Sequence, residues 1–182
     1  MCAEFLQTFG QVIENKGGLR SAAVYNPDTA PVSAYMPSFE TAARSLKVAL
    51  IPAPVHSDAE VETAITALGR EPGGGLVVLQ DDFTISRRAP FIWAAARNNV
   101  PAVYYASDYA REGGLLSYGP DRVDPYRGAA TYVDRILRGE KPGDLPVQFP
   151  TKFEMVVNRK TANALGLAIP PSIMLRATEV IE

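Results

Sequence analysis

Short, nearly unbroken apolar runs alternate along the chain with segments in which apolar residues recur every three or four positions. A run without polar alternation is typical of a strand that is buried on both faces of a sheet. The pattern predicts strands at 21–25 (SAAVY), 48–51 (VALI), 76–79 (LVVL), 101–105 (PAVYY), 115–118 (LLSY) and 153–157 (FEMVV). Pro52 and Pro54 are expected to end the second strand, and the glycines at 73–75 to form the turn before the third.

The segments between these runs have the spacing of amphipathic helices. The first helix places its apolar face at Phe5, Leu6, Phe9, Val12 and Ile13 and is expected to end at Gly17-Gly18. Further helices are predicted over 32–45 with an early break or kink at Pro37, over 57–68 behind a Ser57–Glu60 capping box, and over 85–96, 123–139, 158–165 and after Pro170-Pro171. Alternating strands and helices imply right-handed crossovers, so the predicted fold class is α/β, a mainly parallel sheet with flanking helices.

Composition narrows the class of protein without identifying it. The chain has 182 residues, 47% hydrophobic residues and a formal net charge of −2, which argues against disorder and suits one globular domain. The near-neutral charge and the lack of long Lys/Arg runs predict no nucleic-acid partner. One cysteine, Cys2, and one histidine, His56, exclude an internal disulfide framework and a Cys/His zinc site.

The sequence also lacks the apolar pattern of a transmembrane helix and that of a signal peptide. No apolar stretch approaches the roughly 20 residues that a transmembrane helix needs. The N-terminal segment MCAEFLQTFGQVIENKGG lacks both a basic region and a continuous apolar core, so it does not have the pattern of a signal peptide.

Candidate chemistry lies in the loops after the predicted strands. In parallel sheets, ligands bind at the carboxyl ends of the strands. The corresponding positions here are Asn26 and Asp28, 53–56, 80–82, 106–108 and 117–119. These loops offer carboxylates, an amide, hydroxyls and tyrosines but no arginine or lysine, which suits a small polar or aromatic ligand better than a phosphate.

Each candidate also has a structural interpretation. Asp81, Asp82 or Thr84 would serve equally as the cap of the following helix. The sequence Asn26-Pro27-Asp28 is first of all a turn signature. Tyr104 and Tyr105 point to opposite faces of a strand, so one of them is expected in the core and one at a cleft.

Catalytic signatures are mostly incomplete. Ser117 lacks the GxSxG frame of a nucleophile elbow, and no GxGxxG follows a strand. A phosphoacceptor receiver domain would use carboxylates such as Asp28 and Asp81 with Ser107, but it also needs a lysine after the fifth strand, where none occurs. A cytoplasmic receiver-like or ligand-sensing domain therefore remains the alternative from another class, and an enzyme with a metal at Asp81 and Asp82 ranks third.

From Val24 to its last residue, the chain resembles the substrate-binding proteins of ABC transporters, in the branch that includes tryptophan and other aromatic-amino-acid binders. The segments that carry the resemblance are YNPDTAP, LVVLQDDF, PAVYYASDYAREGGLLSYGPD, AATYVDRILRGEKPGDLPVQFPTKFEMVVNRKTANALGL and IPPSIMLRATEVIE. The long C-terminal segment is the most specific of these, because its order of glycines and prolines before the Pro-Thr-Lys-Phe-Glu strand start is distinctive.

The resemblance implies a receptor of the type I periplasmic-binding-protein-like fold, which clamps a small ligand such as an amino acid between two lobes. Such a receptor passes its ligand to membrane permease subunits and performs no catalysis, and we expect no cofactor and no metal. The resemblance implies a periplasmic or extracytoplasmic location. The lack of a signal peptide in this sequence is equally consistent with a cytoplasmic location. Carried onto this sequence, the family's cleft falls on Asn26, Asp81, Asp82, Tyr105, Ser107 and Tyr118. Asp81 or Asp82 would hold a ligand ammonium, Asn26 and Ser107 would supply hydrogen bonds, and a tyrosine would stack on a planar ligand.

Relatives of this kind carry a signal peptide and a first lobe before the matching segment, so we interpret the chain as N-terminally truncated. Residues 1–18 are expected to be a remnant helix of the first lobe, and 19–182 the second ligand-binding lobe with its C-terminal closing segments. Within these, 119–149 are expected to pack on the missing lobe. The helix face formed by Val123, Tyr126, Ala130, Val133 and Leu137 would then be exposed, which predicts a marginally stable or self-associating protein.

Overall fold

The computed structural model describes residues 2–13, 20–70 and 73–182. Its strands are β1 (Arg20–Tyr25), β2 (Ala49–Pro54), β3 (Gly74–Val78), β4 (Ala102–Tyr104), β5 (Leu116–Pro120), β6 (Phe153–Asn158) and β7 (Glu179–Ile181). Its helices are α1 (Cys2–Ile13), α2 (Val32–Ser45), α3 (Asp58–Gly69), α4 (Asp82–Ser86), α5 (Arg88–Arg97), α6 (Ser107–Arg111), α7 (Asp124–Leu137), α8 (Arg159–Ala164) and α9 (Pro171–Arg176). The expected end of α1 at Gly17-Gly18 lies outside the described residues.

Within the described residues, all seven strands form one sheet in the order β2-β1-β3-β4-β5-β6-β7. The first five are parallel to one another, β6 runs antiparallel to β5, and β7 runs parallel to β6. This arrangement confirms the predicted α/β class with a mainly parallel sheet.

Helices cover both faces of the sheet, as the unbroken apolar strands predicted. In β3, Leu76 and Val78 face a core shared with α3 and α5, whereas Val77 belongs to the core shared with α1, α2, α8 and α9. All three side chains are fully buried. The strand is therefore apolar at every position because each face packs against a different layer of helices.

Helix α1 packs against one face of the sheet as part of its hydrophobic core. Its residues Phe5, Leu6 and Phe9 are buried, and the Phe5 ring meets the Phe39 ring of α2 edge-on with 6.1 Å between centroids. The helix thus forms one side of the cavity described below. Its assignment as a remnant of a first lobe stays a prediction.

Several boundaries differ from the sequence prediction. Strand β2 continues through Pro52 to Pro54, which a strand tolerates at the edge of a sheet, where one side needs no N–H donors. Pro37 lies inside α2 without ending it. The helix predicted over 85–96 is two helices, α4 and α5, separated at Arg87. The short elements α6 and β7 were not predicted.

The two ends of the long connection between β5 and β6 lie next to each other at the sheet. Asp121 directly follows β5, Lys152 directly precedes β6, and the Lys152 ammonium lies 2.7 Å from the Asp121 carboxylate. The Asp121 N–H also donates to the Lys152 carbonyl at 3.0 Å. Between these residues runs α7, none of whose residues is buried. Among the described residues, no helix is long and apolar enough to cross a membrane.

Candidate functional site

A pocket of about 430 Å³ opens at the carboxyl-end side of the parallel strands. This volume lies within the range of sites for small molecules. The end of β3 supplies 78–82 and the segment after β4 supplies Tyr105, while β5 contributes Tyr118, Gly119 and Pro120. The remaining wall comes from α1, α2, the loop before α2 and Ile85 of α4. Of the predicted loops, those at 80–82 and 117–119 contribute to the described lining, whereas those at 53–56 and 106–108 do not.

Aromatic rings form much of this wall. Phe5, Tyr35 and Phe39 lie together, and the Tyr35 and Phe39 rings meet edge-on with 6.2 Å between centroids. Tyr105 and Tyr118 also line the pocket. Such a wall provides flat apolar surface, which suits a planar or apolar ligand body.

Tyr118 is held by two contacts, and burial acts on both Tyr118 and Tyr105. The Tyr118 ring stacks on Phe153 with 5.8 Å between centroids, and its O–H donates to the Glu4 carboxylate at 3.0 Å. Burial raises the pKa of Tyr118, and it raises that of Tyr105 to about 12. Both phenols therefore stay neutral at physiological pH, and the Tyr118 proton is donated to Glu4.

The buried carboxylate of Asp81 accepts three hydrogen bonds. Its Oδ1 accepts the Thr84 N–H at 2.7 Å and the Thr29 hydroxyl at 3.4 Å, and its Oδ2 accepts the Asn26 N–H at 3.0 Å. The Thr84 hydroxyl in turn accepts the Asp81 N–H, which completes a capping box at the start of α4. The capping interpretation is therefore confirmed for Asp81, which also lines the pocket.

Asp82 differs from Asp81 in its exposure. It lies at the pocket margin with its side chain exposed, in the first turn of α4. Neither aspartate forms an ion pair within 2–13, 20–70 and 73–182. The described pocket lining contains no arginine, lysine or histidine, so its charge is purely acidic.

Tyr35 lines this pocket, and its hydroxyl is buried without a hydrogen-bond partner among the described residues. Burial, together with the nearby charge of Asp81, raises the pKa of Tyr35 to about 12. Sequence analysis missed this residue, because it lies inside α2 and not after a strand.

The structure does not bring two of the predicted contact residues to the pocket. The Asn26 side chain accepts the N–H groups of Asp28 at 2.8 Å and Thr29 at 3.2 Å, so it is used by the turn. The Ser107 hydroxyl accepts from Arg111 at 3.1 Å. Neither residue is among the described residues that line the pocket.

The two adjacent tyrosines at the end of β4 lie in different surroundings. Tyr104 is fully buried and stacks on Tyr109 with 4.6 Å between ring centroids. Tyr105, on the opposite side of the strand, lines the pocket. The strand alternation thus selects Tyr105 as the residue that a ligand can reach.

Gly119 allows the backbones of β5 and the segment after β4 to touch. A Cβ atom at this position would lie 1.8 Å from the Tyr105 carbonyl oxygen. No side chain larger than hydrogen fits there without moving one backbone. The close approach fixes the pocket wall that Tyr105 and Tyr118 share.

A metal site was the third interpretation of Asp81 and Asp82. Within the part of the chain that the structure describes, no three His, Cys, Asp or Glu side chains come together as ligands. The oxygens of Asp81 face N–H and O–H donors, which would have to be displaced from any cation bound there.

Comparison with known proteins gives a consistent result. Residues 19–181 match a family described as ABC transporter substrate binding protein. No curated protein matches the chain. A conserved domain protein from Vibrio cholerae O1 biovar El Tor superimposes with a TM-score of 0.88 at 26% identity, over 98% of this chain and 60% of that one.

Two further solved structures share the fold. An ABC domain from Streptococcus pneumoniae in complex with L-Trp has a TM-score of 0.88 at 22% identity, over 99% of this chain and 60% of that one. The ligand-free, open structure of a substrate-binding protein with adhesive properties from Clostridium difficile has a TM-score of 0.69 at 20% identity. This match covers 98% of this chain and 58% of that one. The chain therefore spans about 60% of the length of these structures.

Proposed function

Because the chain belongs to the family of ABC transporter substrate-binding proteins, we propose that it is a ligand-binding lobe of a solute receptor that serves an ABC import system. The observation that carries this proposal is the aromatic and acidic pocket of about 430 Å³ at the strand ends. The role is recognition and delivery of a small molecule, without catalysis.

The pocket chemistry favours a ligand with a planar or apolar body and a positively charged group. Tyr105 and Tyr118 offer ring surface for the body. Asp81 and Asp82 supply negative charge without a cationic partner in the lining, which favours an ammonium group. An aromatic amino acid has both features, and the Streptococcus pneumoniae neighbour was solved with L-Trp.

A second lobe would complete the site. Tyr126 and Leu137 of α7 are 78% and 82% exposed, and Val147 and Phe149 after it are similarly exposed. The solved neighbours are longer than this chain by about the size of another lobe. We propose that 119–149 pack on that lobe and that the ligand is held in the cleft between the two. Affinity for this lobe alone is then weak, because half of the contacts are missing.

The partners follow from the family. The proposed receptor works outside the cytoplasmic membrane and passes its ligand to permease subunits, with no nucleic acid involved. Self-association through the exposed face of α7 is the expected behaviour when the second lobe is absent.

Thermal melting of the 182-residue chain tests the proposed function. We expect aromatic amino acids at millimolar concentration to raise the melting temperature, because a ligand specific for the folded state stabilises it by mass action. Sugars, purines and Mg²⁺ serve as comparison compounds. Tyr105→Ala should abolish the increase, whereas Tyr126→Ala, outside the pocket, should retain it. An increase with Mg²⁺ alone would instead support the receiver-like or metal-binding alternative.

A further inference from the structure

The segment 146–152 runs beside α7 on its way back to the sheet. The Tyr132 O–H of α7 donates to the Pro146 carbonyl, and a Cβ atom on Gly128 would lie 3.6 Å from the Gln148 Oε1. One turn of helix rises by about 6 Å, and two residues of extended chain cover about 6.6 Å. The segment, which we call the arm, is therefore extended and antiparallel to α7.

One edge of the arm faces its own lobe. In an extended strand, the N–H and C=O groups of alternate residues point to the same edge. The Pro146 carbonyl accepts the Tyr132 O–H, and the Lys152 carbonyl accepts the Asp121 N–H at 3.0 Å. Pro150 lies on this edge as well. Both prolines of the arm thus lie where a missing N–H leaves no gap in a strand ladder.

The opposite edge is complete and unused. Val147, Phe149 and Thr151 are exposed, and none of their N–H and C=O groups has a hydrogen-bond partner among the described residues. The same edge continues into β6, where the Met155 carbonyl accepts the Thr178 N–H before β7 at 2.8 Å. A strand edge with unpaired N–H and C=O groups is a template for another strand, and proline and charge normally protect it. This free edge of the arm has neither.

We propose that the free edge of the arm pairs antiparallel with the same edge of a second copy of this chain, with Phe149 on the two-fold axis. Val147 of one copy then lies opposite Thr151 of the other, and the two Phe149 rings are neighbours across the ladder. Every free N–H meets a free C=O in this register. Lys152 lies opposite Pro146 of the second copy, so no like charges face each other. An interface between identical edges closes at the dimer.

Charge and position favour a second copy as the occupant. Residues 146–151 carry no charged side chain, and the formal net charge of the chain is only −2, so two copies approach without strong repulsion. Because the arm accompanies α7, the exposed apolar residues of this helix extend the same interface. The arm also belongs to the segment that we propose to pack on a second lobe, and that lobe would compete with the second copy.

Val147→Pro and Gln148→Pro compare the two edges of the arm. Both residues are exposed, and neither N–H has a partner among the described residues, so both variants should fold. We expect sedimentation equilibrium to show a dimer whose dissociation constant rises more than about tenfold in Val147→Pro, because each copy loses one ladder donor. Gln148→Pro removes a donor from the other edge and should change the constant by less than about twofold. Val147→Ala, which keeps the N–H, should weaken the dimer less than Val147→Pro.

Amide hydrogen exchange measured by NMR gives the register. At concentrations where the dimer forms, the amides of Val147, Phe149 and Thr151 should exchange more than about tenfold more slowly than in dilute protein. The Gln148 amide should exchange at the same rate in both samples. This alternation is specific to strand pairing, because burial of an apolar helix face alone would not protect every second amide.

Three results would overturn the inference. The first is a monomer at every concentration. The second is an equal effect of Val147→Pro and Gln148→Pro on association, which would leave α7 alone as the contact. The third is association without slower exchange at Val147, Phe149 and Thr151. The pairing depends on the backbone of the arm and not on the pocket, so the ligand-induced increase in melting temperature tests the proposed function separately.

Discussion

The carboxylate of Asp81 accepts the backbone N–H of Asn26 at 3.0 Å and thereby joins the end of β3 to the end of β1. The same carboxylate caps α4 through the Thr84 N–H. Asp81 thus holds two loops of the pocket in place besides presenting charge to it. A substitution at this residue changes the stability of the lobe before any ligand is considered.

Asp81→Ala should lower the free energy of unfolding by about 2–4 kcal/mol. Loss of an N-cap costs about 1 kcal/mol, and the buried Asn26 N–H left without a partner adds about 1–3 kcal/mol. Denaturant unfolding measures the difference. Asp82→Ala, next in sequence but exposed, should stay within about 0.5 kcal/mol of the original protein. Equal effects of the two substitutions would contradict this role of Asp81.

Gly119→Ala should destabilise the lobe by more than about 3 kcal/mol, because its Cβ would lie 1.8 Å from the Tyr105 carbonyl oxygen. Gly128→Ala is the control, since the nearest atom to its Cβ is 3.6 Å away and the residue lies inside α7. There, alanine should raise stability by about 0.5–1 kcal/mol. Chemical denaturation compares the two. A mild effect at Gly119 would show that the two backbones are not in close contact.

The exposed face of α7 should make the isolated chain associate with itself. Light scattering is expected to show a mass that increases with protein concentration. The double substitution Val133→Glu and Leu137→Glu should suppress this increase without lowering the melting temperature, because both residues are exposed. Leu175→Glu on α9, where the leucine is 87% exposed, is the control and should leave association unchanged. A monomer at every concentration would refute the prediction.

Stability should fall in acid partly through Asp121. The Lys152 ammonium, followed by the Val123 N–H, holds the pKa of Asp121 below its ordinary value of 3.8. Because the folded protein favours the charged carboxylate, this stabilisation is complete above the ordinary pKa and is lost as the pH falls through the lower, folded value.

Melting temperatures measured from pH 7 to about pH 2 check this prediction. The difference between the original protein and Asp121→Asn should be largest at neutral pH and should shrink below about pH 4. Asp144→Asn, at an exposed position, should follow the curve of the original protein. A difference that is constant over the whole range would show that the Asp121 charge does not contribute.

The sheet was predictable because its central strands are buried on both faces, and such strands have nearly unbroken apolar sequences. The exceptions have local causes. A proline usually ends a strand, yet β2 tolerates Pro54 because, among the described residues, β1 is its only strand partner. Strand β7 has three residues and α6 has five, too few for a periodic pattern to emerge.

The candidate site was predictable only in part. The rule that ligands bind after parallel strands identified Asp81, Asp82 and Tyr118. Tyr105 was chosen from the alternation along its strand and from the family resemblance. The rule could not identify Phe5 or Tyr35, whose place in the pocket depends on how α1 and α2 pack against the sheet. The rule included Asn26 and Ser107 because it does not distinguish a side chain that serves its own turn or helix from one that faces the cavity.

Mapping a small ligand onto the pocket by amide NMR tests the central claim most directly. The account predicts that L-tryptophan at millimolar concentration shifts the amide signals of 29, 30, 32–35, 79–82, 105, 118 and 119, with those of α3 and α5 on the other face of the sheet unchanged. Shifts confined to α3 and α5, or no shifts at any concentration, would contradict the assignment of this pocket as the ligand site of a solute receptor.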